Sequence, residues 1–154
     1  ENFLWYKFIS ASLPFAKFIN IHRDPWDNAI SLFKQHYVSE IFFSSSFFGI
    51  ALEYANYEHV MRKWKKHKNN NILDIGYHEL VNDTESTAKK IWEFCNLPGK
   101  YEEIKRTKYF AQTASKEQVR QNIYTSSIKK EEFLDFKEDF YKNLEDQRNY
   151  WLNT

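Results

Sequence analysis

A polar cluster that could bind an anion follows an apolar run near the start of the chain. Residues 17–22 (KFINIH) are rich in β-branched and aromatic side chains, which favours a strand, and Arg23-Asp24-Pro25 follows at once. Asp24 is a good helix N-cap and Pro25 suits a first helical position, so a tight turn and a helix should come next. Ligands in open α/β sheets bind beyond the carboxyl ends of strands, and this pattern predicts Arg23 at such an end.

The side chains around this turn are suited to phosphate. A guanidinium is a planar fork that can hold two phosphate oxygens at once. Ser31 lies about 9 Å further along the helix axis, at a rise of ~1.5 Å per residue, and it shares the polar side of that helix with Asp27. Arg23 and Ser31 could therefore converge on one anion. The alternative is structural: Arg23 pairs with Asp24 or Asp27, and Ser31 is a solvated helix serine.

The elements that must position these residues alternate between strand and helix patterns. Residues 17–22 and 72–77 favour strands, and the helical patterns between them are long enough for a parallel crossover. This alternation predicts an α/β layer architecture. Residues 106–130 lack periodicity and are rich in polar side chains, which indicates a loop. Predicted helices cover residues 2–12, the part of 17–39 after the turn, residues 46–67, a segment capped by Asn82 or Asp83 that ends before Pro98-Gly99, and about Glu131 to Tyr150.

Each of the four later helical patterns has an apolar stripe at helical spacing, which indicates the side that faces the core. The stripes are Trp26, Ile30, Phe33 and Tyr37 in the first; Ile50, Tyr54, Tyr57, Met61 and Trp64 in the second; Ala88, Ile91, Trp92 and Cys95 in the third; and Phe133, Phe136, Phe140 and Leu144 in the last.

The composition excludes several classes of protein. With 154 residues, one domain or a piece of one is the default, and 19% aromatic residues are enough to build a core. A net charge of +1, with Lys and Arg spread along the chain, does not resemble a nucleic-acid binder. No apolar run reaches the length of a membrane span. Cys95 is the single cysteine, so no internal disulfide can form, which suits a reducing compartment and favours the cytoplasm. The histidines have no metal-ligand spacing with it, and no metal site is expected.

Residues 17–37 (KFINIHRDPWDNAISLFKQHY) resemble the donor-binding segment of sulfotransferases that use 3′-phosphoadenosine 5′-phosphosulfate (PAPS). That segment is a strand, Arg-Asp-Pro, an Asp two residues later and a Ser four residues after that, and this chain has all of these residues. Four other stretches resemble parts of the same family in the same order. The one at residues 113–124 is typical of the family's bacterial, tetratricopeptide-linked branch and is akin to that of protein-tyrosine sulfotransferases. The four stretches are residues 2–16 (NFLWYKFISASLPFA), 75–81 (IGYHELV), 90–98 (KIWEFCNLP) and 113–124 (TASKEQVRQNIY).

The resemblance implies a fold, an activity and a set of site residues. The fold would be α/β, with a P-loop-like parallel sheet flanked by helices, of which this chain is the C-terminal portion. The enzyme would transfer a sulfuryl group from PAPS to a hydroxyl acceptor, which could be a small molecule, a glycan or a protein tyrosine, without a metal. Arg23 and Ser31 would bind the donor's 3′-phosphate, Tyr77 would lie beside the nucleotide, Ser115 would approach the 5′-phosphosulfate and is the candidate catalytic residue, and Arg120 and Lys130 would add positive charge.

The chain departs from the family pattern in three places. Asn122 replaces the usual Pro before Ile-Tyr, and Glu131 stands where a Trp is common. The family's N-terminal half, with the P-loop-like cradle for the phosphosulfate and usually the catalytic base, has no counterpart: the glycines are Gly49, Gly76 and Gly99. Because the chain opens on Glu1 rather than Met, we expect it to be a fragment. Because the phosphosulfate cradle is absent from it, we expect this fragment to be inactive alone.

Two other functions stay open at the level of sequence. One is another nucleotide-dependent transferase with a P-loop-like sheet, such as a small-molecule kinase. The other is a non-enzymatic helical interaction module, which predicts neither a parallel strand pair nor an anion site at Arg23. Acceptor specificity is expected to come from the absent half, from residues 38–50 and from the C-terminal helix.

Overall fold

The computed structural model describes residues 2–35, 42–66, 71–99 and 130–153 of the chain. Its helices and strands are α1 (Tyr6–Ser12), β1 (Phe18–His22), α2 (Pro25–Lys34), α3 (Phe47–Lys66), β2 (Ile72–Gly76), α4 (Tyr77–Asn82), α5 (Thr84–Phe94) and α6 (Lys137–Leu152). Short 3₁₀ helices precede α1, α3 and α6, at Asn2–Trp5, Phe42–Ser45 and Lys130–Phe136. Most of the predicted loop 106–130 lies outside the described residues.

The two strands form a parallel pair, as the sequence predicts. The register runs from Phe18 opposite Ile72 to His22 opposite Gly76. Because α2 and α3 lie between the strands in the chain, they form the crossover that a parallel pair requires. The result is a mixed α/β structure in which a small parallel sheet is flanked by helices, and both strands end at the same edge.

The core lies where α2, α3 and α6 meet. Its fully buried side chains include Ile30, Ile50, Phe140 and Leu144. The Trp26 ring joins the three helices, since its centroid is 5.0 Å from that of Phe47 and 5.4 Å from that of Phe140. Burial of large aromatic rings is the main source of stabilisation in a core of this composition.

Two phenylalanines that the sequence predicts in the core are partly exposed in the structure. Phe136 is 53% exposed and Phe33 is 37% exposed. Each places a ring against Phe47, with centroids 5.5 Å and 4.6 Å apart, and Phe33 also meets Phe133 edge to face at 5.7 Å. Phe136 lies at the junction of the last 3₁₀ helix and α6 rather than inside one continuous helix, which explains why its other face stays in solvent. Tyr37 lies outside the described residues.

The segment after β2 folds as two helices rather than one. Asp83 ends α4 and caps α5, because its carboxylate accepts a hydrogen bond of 3.1 Å from the Ser86 amide. The predicted apolar stripe of this segment is only partly buried, and Thr87 is its buried residue. Among the helices that the structure describes, none is long and apolar enough to cross a membrane.

Candidate functional site

The turn after β1 is fixed by its own sequence. The Asp24 carboxylate accepts a 2.9 Å hydrogen bond from the Asp27 amide, and Pro25 occupies the first turn of α2. Asp24 is therefore the N-cap of α2, and the fixed φ of Pro25 suits the first helical position. Together they end the strand and begin a helix here. The cap leaves Arg23 at the carboxyl end of β1, facing the edge where parallel sheets bind ligands.

Arg23 is held by its backbone and by one aromatic ring. The Tyr54 hydroxyl donates a 2.6 Å hydrogen bond to the Arg23 carbonyl, which ties the turn to α3. The guanidinium lies over the Tyr77 ring, 4.9 Å from its centroid, in a cation–π contact. Its ion pair with Asp27 is long, at 4.0 Å, and the side chain is 29% exposed. The structural alternative, in which Arg23 pairs with an acidic neighbour, is thus present among the described residues as this long contact with Asp27.

Tyr77 comes from the neighbouring strand. β2 ends at Gly76, which is the register partner of His22, and Tyr77 is the first residue of α4. A Cβ atom added at Gly76 would lie 2.7 Å from the His78 ring, an exposed side chain that could turn away to make room for it. The two strand ends thus bring Arg23 and Tyr77 together at one edge of the sheet.

A depression of about 690 Å³ opens beside these two residues. Besides the Arg23 turn and the start of α4, α3 contributes Glu58 and α6 contributes Arg148. Arg148 donates two hydrogen bonds of 2.6 Å to Glu58 and a further one to Glu145. These bonds, led by those to Glu58, raise the pKa of Arg148 above its usual range. The depression is lined in full by His22, Arg23, Asp24, Pro25, Asp27, Tyr54, Glu58, Tyr77, His78, Val81, Asn82 and Arg148.

The two guanidinium groups in this depression therefore differ in what they can bind. Arg148 is already held by two carboxylates, and its charge is compensated within the protein. Among the described residues, Arg23 has one long ion pair and a ring beneath it, and these contacts leave N–H donors for a ligand. An anion entering the depression would find its available cation at Arg23.

The other residues implicated by the sequence are less closely grouped. Ser31 lies on α2 one turn beyond Asp27, is partly buried, and is not among the described residues that line the depression. Ser115 and Arg120 lie outside the described residues. Lys130 begins the last 3₁₀ helix, and its side chain lies outside the description as well.

Sequence reasoning missed three residues that line the site: Tyr54, Glu58 and Arg148. The sequence places Tyr54 only in an apolar stripe. Its hydroxyl donates to the Arg23 carbonyl, a contact that depends on how α3 packs against the turn after β1. Glu58 and Arg148 are 90 positions apart in the chain, and no local pattern links them. The spacing of Tyr54 and Glu58, one helical turn apart, was the only available signal that both face the same side of α3.

A polar network holds α3 against the sheet below the site. The Tyr57 hydroxyl donates to the Asn20 amide oxygen at 2.9 Å, and the Asn20 amide donates to the Asp74 carboxylate at 2.7 Å. Lys65 completes it with a 2.8 Å ion pair to Asp74. Burial by itself would raise the pKa of Asp74, but the hydrogen bonds from Asn20 and Lys65 outweigh it and lower that pKa. Among the described residues no cluster of His, Cys, Asp and Glu could hold a metal ion.

Comparison with known proteins identifies relatives of this chain. A family model described as the sulfotransferase family matches residues 1–103. An uncharacterized protein of Aquifex aeolicus (strain VF5) is 29% identical over 159 residues, which cover 95% of this chain and 21% of that protein. The chain therefore spans about a fifth of the length of that relative. No solved structure matches the chain at a significant level.

Proposed function

Because this chain belongs to the sulfotransferase family, we propose that it binds the 3′-phosphate of PAPS in the depression at the ends of β1 and β2. It would do so as part of an enzyme that transfers the donor's sulfuryl group to a hydroxyl. The observation that carries this proposal is the state of Arg23: it follows a parallel strand, lies over the Tyr77 ring and, among the described residues, makes an ion pair of 4.0 Å with Asp27. An arginine in that state can offer a two-pronged contact to phosphate oxygens.

The remaining contacts to the donor are assigned by the family pattern and by local geometry. Tyr77 supports the guanidinium with its ring face and borders the nucleotide. Ser31 would add one hydroxyl contact if the phosphate extends over the second turn of α2. Ser115, Arg120 and Lys130 would lie over the 5′ side of the nucleotide.

Sulfuryl transfer needs a defined movement of charge and protons. The bond from the acceptor's oxygen to sulfur forms, the bond from sulfur to the bridging phosphate oxygen breaks, and the electron pair stays on that phosphate oxygen. The acceptor's proton passes to a general base, for which we expect a residue outside this chain. Hydrogen-bond donors and cations at the leaving oxygen stabilise the transition state, and this is the role proposed for Ser115, Arg120 and Lys130.

Two other functions have less support. A non-enzymatic helical module predicts no parallel strand pair, yet β1 and β2 are parallel over five residue pairs. A small-molecule kinase is compatible with a parallel sheet, but the family match is to sulfotransferases. The acceptor we propose is a hydroxyl-bearing molecule, and the reaction requires no metal.

The proposal predicts a selective effect of Arg23→Ala. In the intact protein, this change should weaken adenosine 3′,5′-bisphosphate by about tenfold to a hundredfold, because a charge-assisted hydrogen bond is worth roughly 1.5–3 kcal/mol. Binding of adenosine 5′-phosphate, which lacks the 3′-phosphate, should change little. Isothermal titration calorimetry with the two nucleotides measures both.

Arg62→Ala is the matched control, since Arg62 is an exposed arginine of α3 that does not line the depression. It should leave both affinities within about twofold, as expected for a surface substitution. An equal loss for both nucleotides in Arg23→Ala would show that Arg23 does not recognise the 3′-phosphate.

A further inference from the structure

A groove of about 770 Å³ lies between α3, α6 and the end of β1, and we call it the α3–α6 groove. It borders the depression at Arg23 through Glu58 and Arg148, which line both. Neither Arg23 nor Tyr77 is among the described residues that line the groove. Its volume lies within the range of about 300–1,000 Å³ that is usual for pockets of small ligands. The groove is therefore large enough to bind a ligand of its own.

Much of the lining of this groove is apolar or aromatic. Ala55 and Met61 of α3 are buried and contribute carbon surface. Trp151 of α6 contributes an indole ring, which is stacked on the His59 ring with centroids 4.5 Å apart. Tyr57 adds another ring, whose hydroxyl is already bonded within the protein. A ligand with a flat apolar body would bury its surface against these side chains, which favours binding.

The two carboxylates of the lining are both held by one arginine. Arg148 donates two hydrogen bonds of 2.6 Å to Glu58 and a further one to Glu145. These three side chains together carry a single net negative charge, and they lie where the groove borders the depression at Arg23. An anion in the groove would therefore bind away from this group.

Three cations of α3 line the groove further along the same helix. Lys65 and Lys66 follow Arg62 by three and four residues, which places all three on one side of α3. Lys65 is compensated by Asp74, with which it forms a 2.8 Å ion pair. Among the residues that the structure describes, neither Arg62 nor Lys66 pairs with a carboxylate. These two side chains, about one and two turns beyond Glu58, are the cations that an anion would meet.

The histidines of the groove leave this positive charge uncompensated. Arg62 donates a hydrogen bond of 3.2 Å to Nδ1 of His59. Burial lowers the pKa of His59, as do the nearby charges of Lys63 and Arg62, so its ring stays neutral at neutral pH. His22 also lines the groove, and an imidazole adds no negative charge. The two cations thus outweigh the single negative charge of the group around Arg148.

We propose that the α3–α6 groove binds a small aromatic anion, such as an aromatic carboxylate. The ring of the ligand packs on the apolar lining around Trp151 and Tyr57, and its carboxylate pairs with Arg62 and Lys66. A guanidinium suits this ligand in two ways, because its planar fork matches a carboxylate and its face stacks on an aromatic ring. The inference goes beyond the proposed function, since it assigns a second ligand to a surface that the donor contact at Arg23 does not use.

Three flat probes that differ in charge but hardly in shape test this assignment. 2-Naphthoate is an anion, 2-naphthamide is neutral and 2-naphthamidine is a cation. In calorimetry on the intact protein, 2-naphthoate should bind about twofold to thirtyfold more tightly than 2-naphthamide, because each of two ion pairs with an exposed cation adds up to about fivefold. 2-Naphthamidine should bind most weakly, because the cations repel it.

Two lysines of the same helix end provide a matched pair of variants. Lys66→Gln should weaken 2-naphthoate by about twofold to fivefold and leave 2-naphthamide unchanged, since it removes one exposed ion pair. Lys63 is also exposed and basic in the last turn of α3, where it complements the helix dipole, but it is not among the described residues that line the groove. Lys63→Gln should therefore leave all three affinities unchanged. The double variant Arg62→Gln with Lys66→Gln should remove the preference for the anion.

The outcomes separate this inference from the proposed function. Equal affinities for the three probes, or an equal loss in Lys63→Gln and Lys66→Gln, would overturn the assignment, while the Arg23 test with nucleotides would stand. Arg23→Ala should leave 2-naphthoate binding unchanged, and a loss there would place the probe in the depression at Arg23 instead of the groove. If Arg23→Ala weakens both nucleotides equally, the proposed function fails, and a preference for 2-naphthoate that depends on Lys66 still supports the groove.

Discussion

Two adjacent features decide what Arg23 can do: the ring beneath it and the backbone that carries it. The guanidinium lies 4.9 Å from the centre of the Tyr77 ring, and a ring in that position restricts the arginine without using its N–H groups. The Tyr54 hydroxyl holds the Arg23 carbonyl at 2.6 Å and so fixes the turn itself. A phosphate would meet a guanidinium that has already lost part of its conformational freedom, which lowers the entropic cost of binding.

This arrangement predicts that the ring of Tyr77 matters more than its hydroxyl. Tyr77→Leu should weaken adenosine 3′,5′-bisphosphate by about twofold to thirtyfold, since a cation–π contact is worth roughly 0.5–2 kcal/mol. Tyr77→Phe keeps the ring and should stay within about twofold of the unmodified protein. Calorimetry on the pair of variants distinguishes the two roles, and an equal loss in both would assign the effect to the hydroxyl instead.

Among the elements, α3 connects every part of the site. Its Tyr54 holds the Arg23 turn, its Glu58 holds α6 through Arg148, and its Lys65 reaches β2 through Asp74. Because one helix makes all three contacts, a shift of α3 relative to the sheet would disturb the depression at Arg23. The Asn20–Asp74 pair bridges β1 and β2 at 2.7 Å, and Tyr57 and Lys65 tie this helix to that pair.

The charge of Asp74 makes the stability of this link between α3 and the sheet depend on pH. Its pKa is lowered in the folded protein, so the carboxylate stabilises the fold above its unfolded pKa, and this contribution is lost as pH falls through the folded pKa. Asp74→Asn should therefore lower stability at neutral pH by about 1 kcal/mol, a modest value because the Asp74 side chain is 40% exposed. Thermal unfolding from neutral to acidic pH should show the difference shrinking as pH falls.

Asp146→Asn, at an exposed position of α6, is the control for this effect and should unfold like the unmodified protein across the same pH range. A constant deficit for Asp74→Asn at every pH would mean that the amide substitution disturbs packing rather than removing a paired charge.

For the molecule as a whole, the sequence predicts the turn and the parallel strand pair, whereas contacts between distant residues depend on how the helices pack. The strand, the Asp24 cap and Pro25 act within a few residues of each other, so the sequence was enough to predict the turn and, through the length of the crossover, the parallel pair. The bond between Glu58 and Arg148 depends on how α6 packs on α3, which no local pattern encodes. The exposure of Phe136 follows from a 3₁₀ helix that the apolar spacing did not reveal.

The distribution of glycine leads to a prediction about the chain by itself. A phosphosulfate cradle needs several backbone N–H groups turned towards one anion, an arrangement that usually depends on closely spaced glycines. The chain has three glycines, far apart. Gly49 is required by packing, since a Cβ there would lie 2.6 Å from the Phe43 carbonyl oxygen. We therefore expect the purified 154-residue chain to transfer no sulfuryl group from PAPS.

Mass spectrometry of para-ethylphenol and tyramine after incubation with PAPS and the purified chain would detect the product as a sulfate ester. Circular dichroism and calorimetry with adenosine 3′,5′-bisphosphate must accompany it, because an unfolded chain would also be inactive. A folded chain that binds the nucleotide through Arg23 and forms no ester agrees with the prediction. If the same chain produced an ester, and Arg23→Ala abolished it, the residues described here would be sufficient for catalysis and the cradle would have to lie among them.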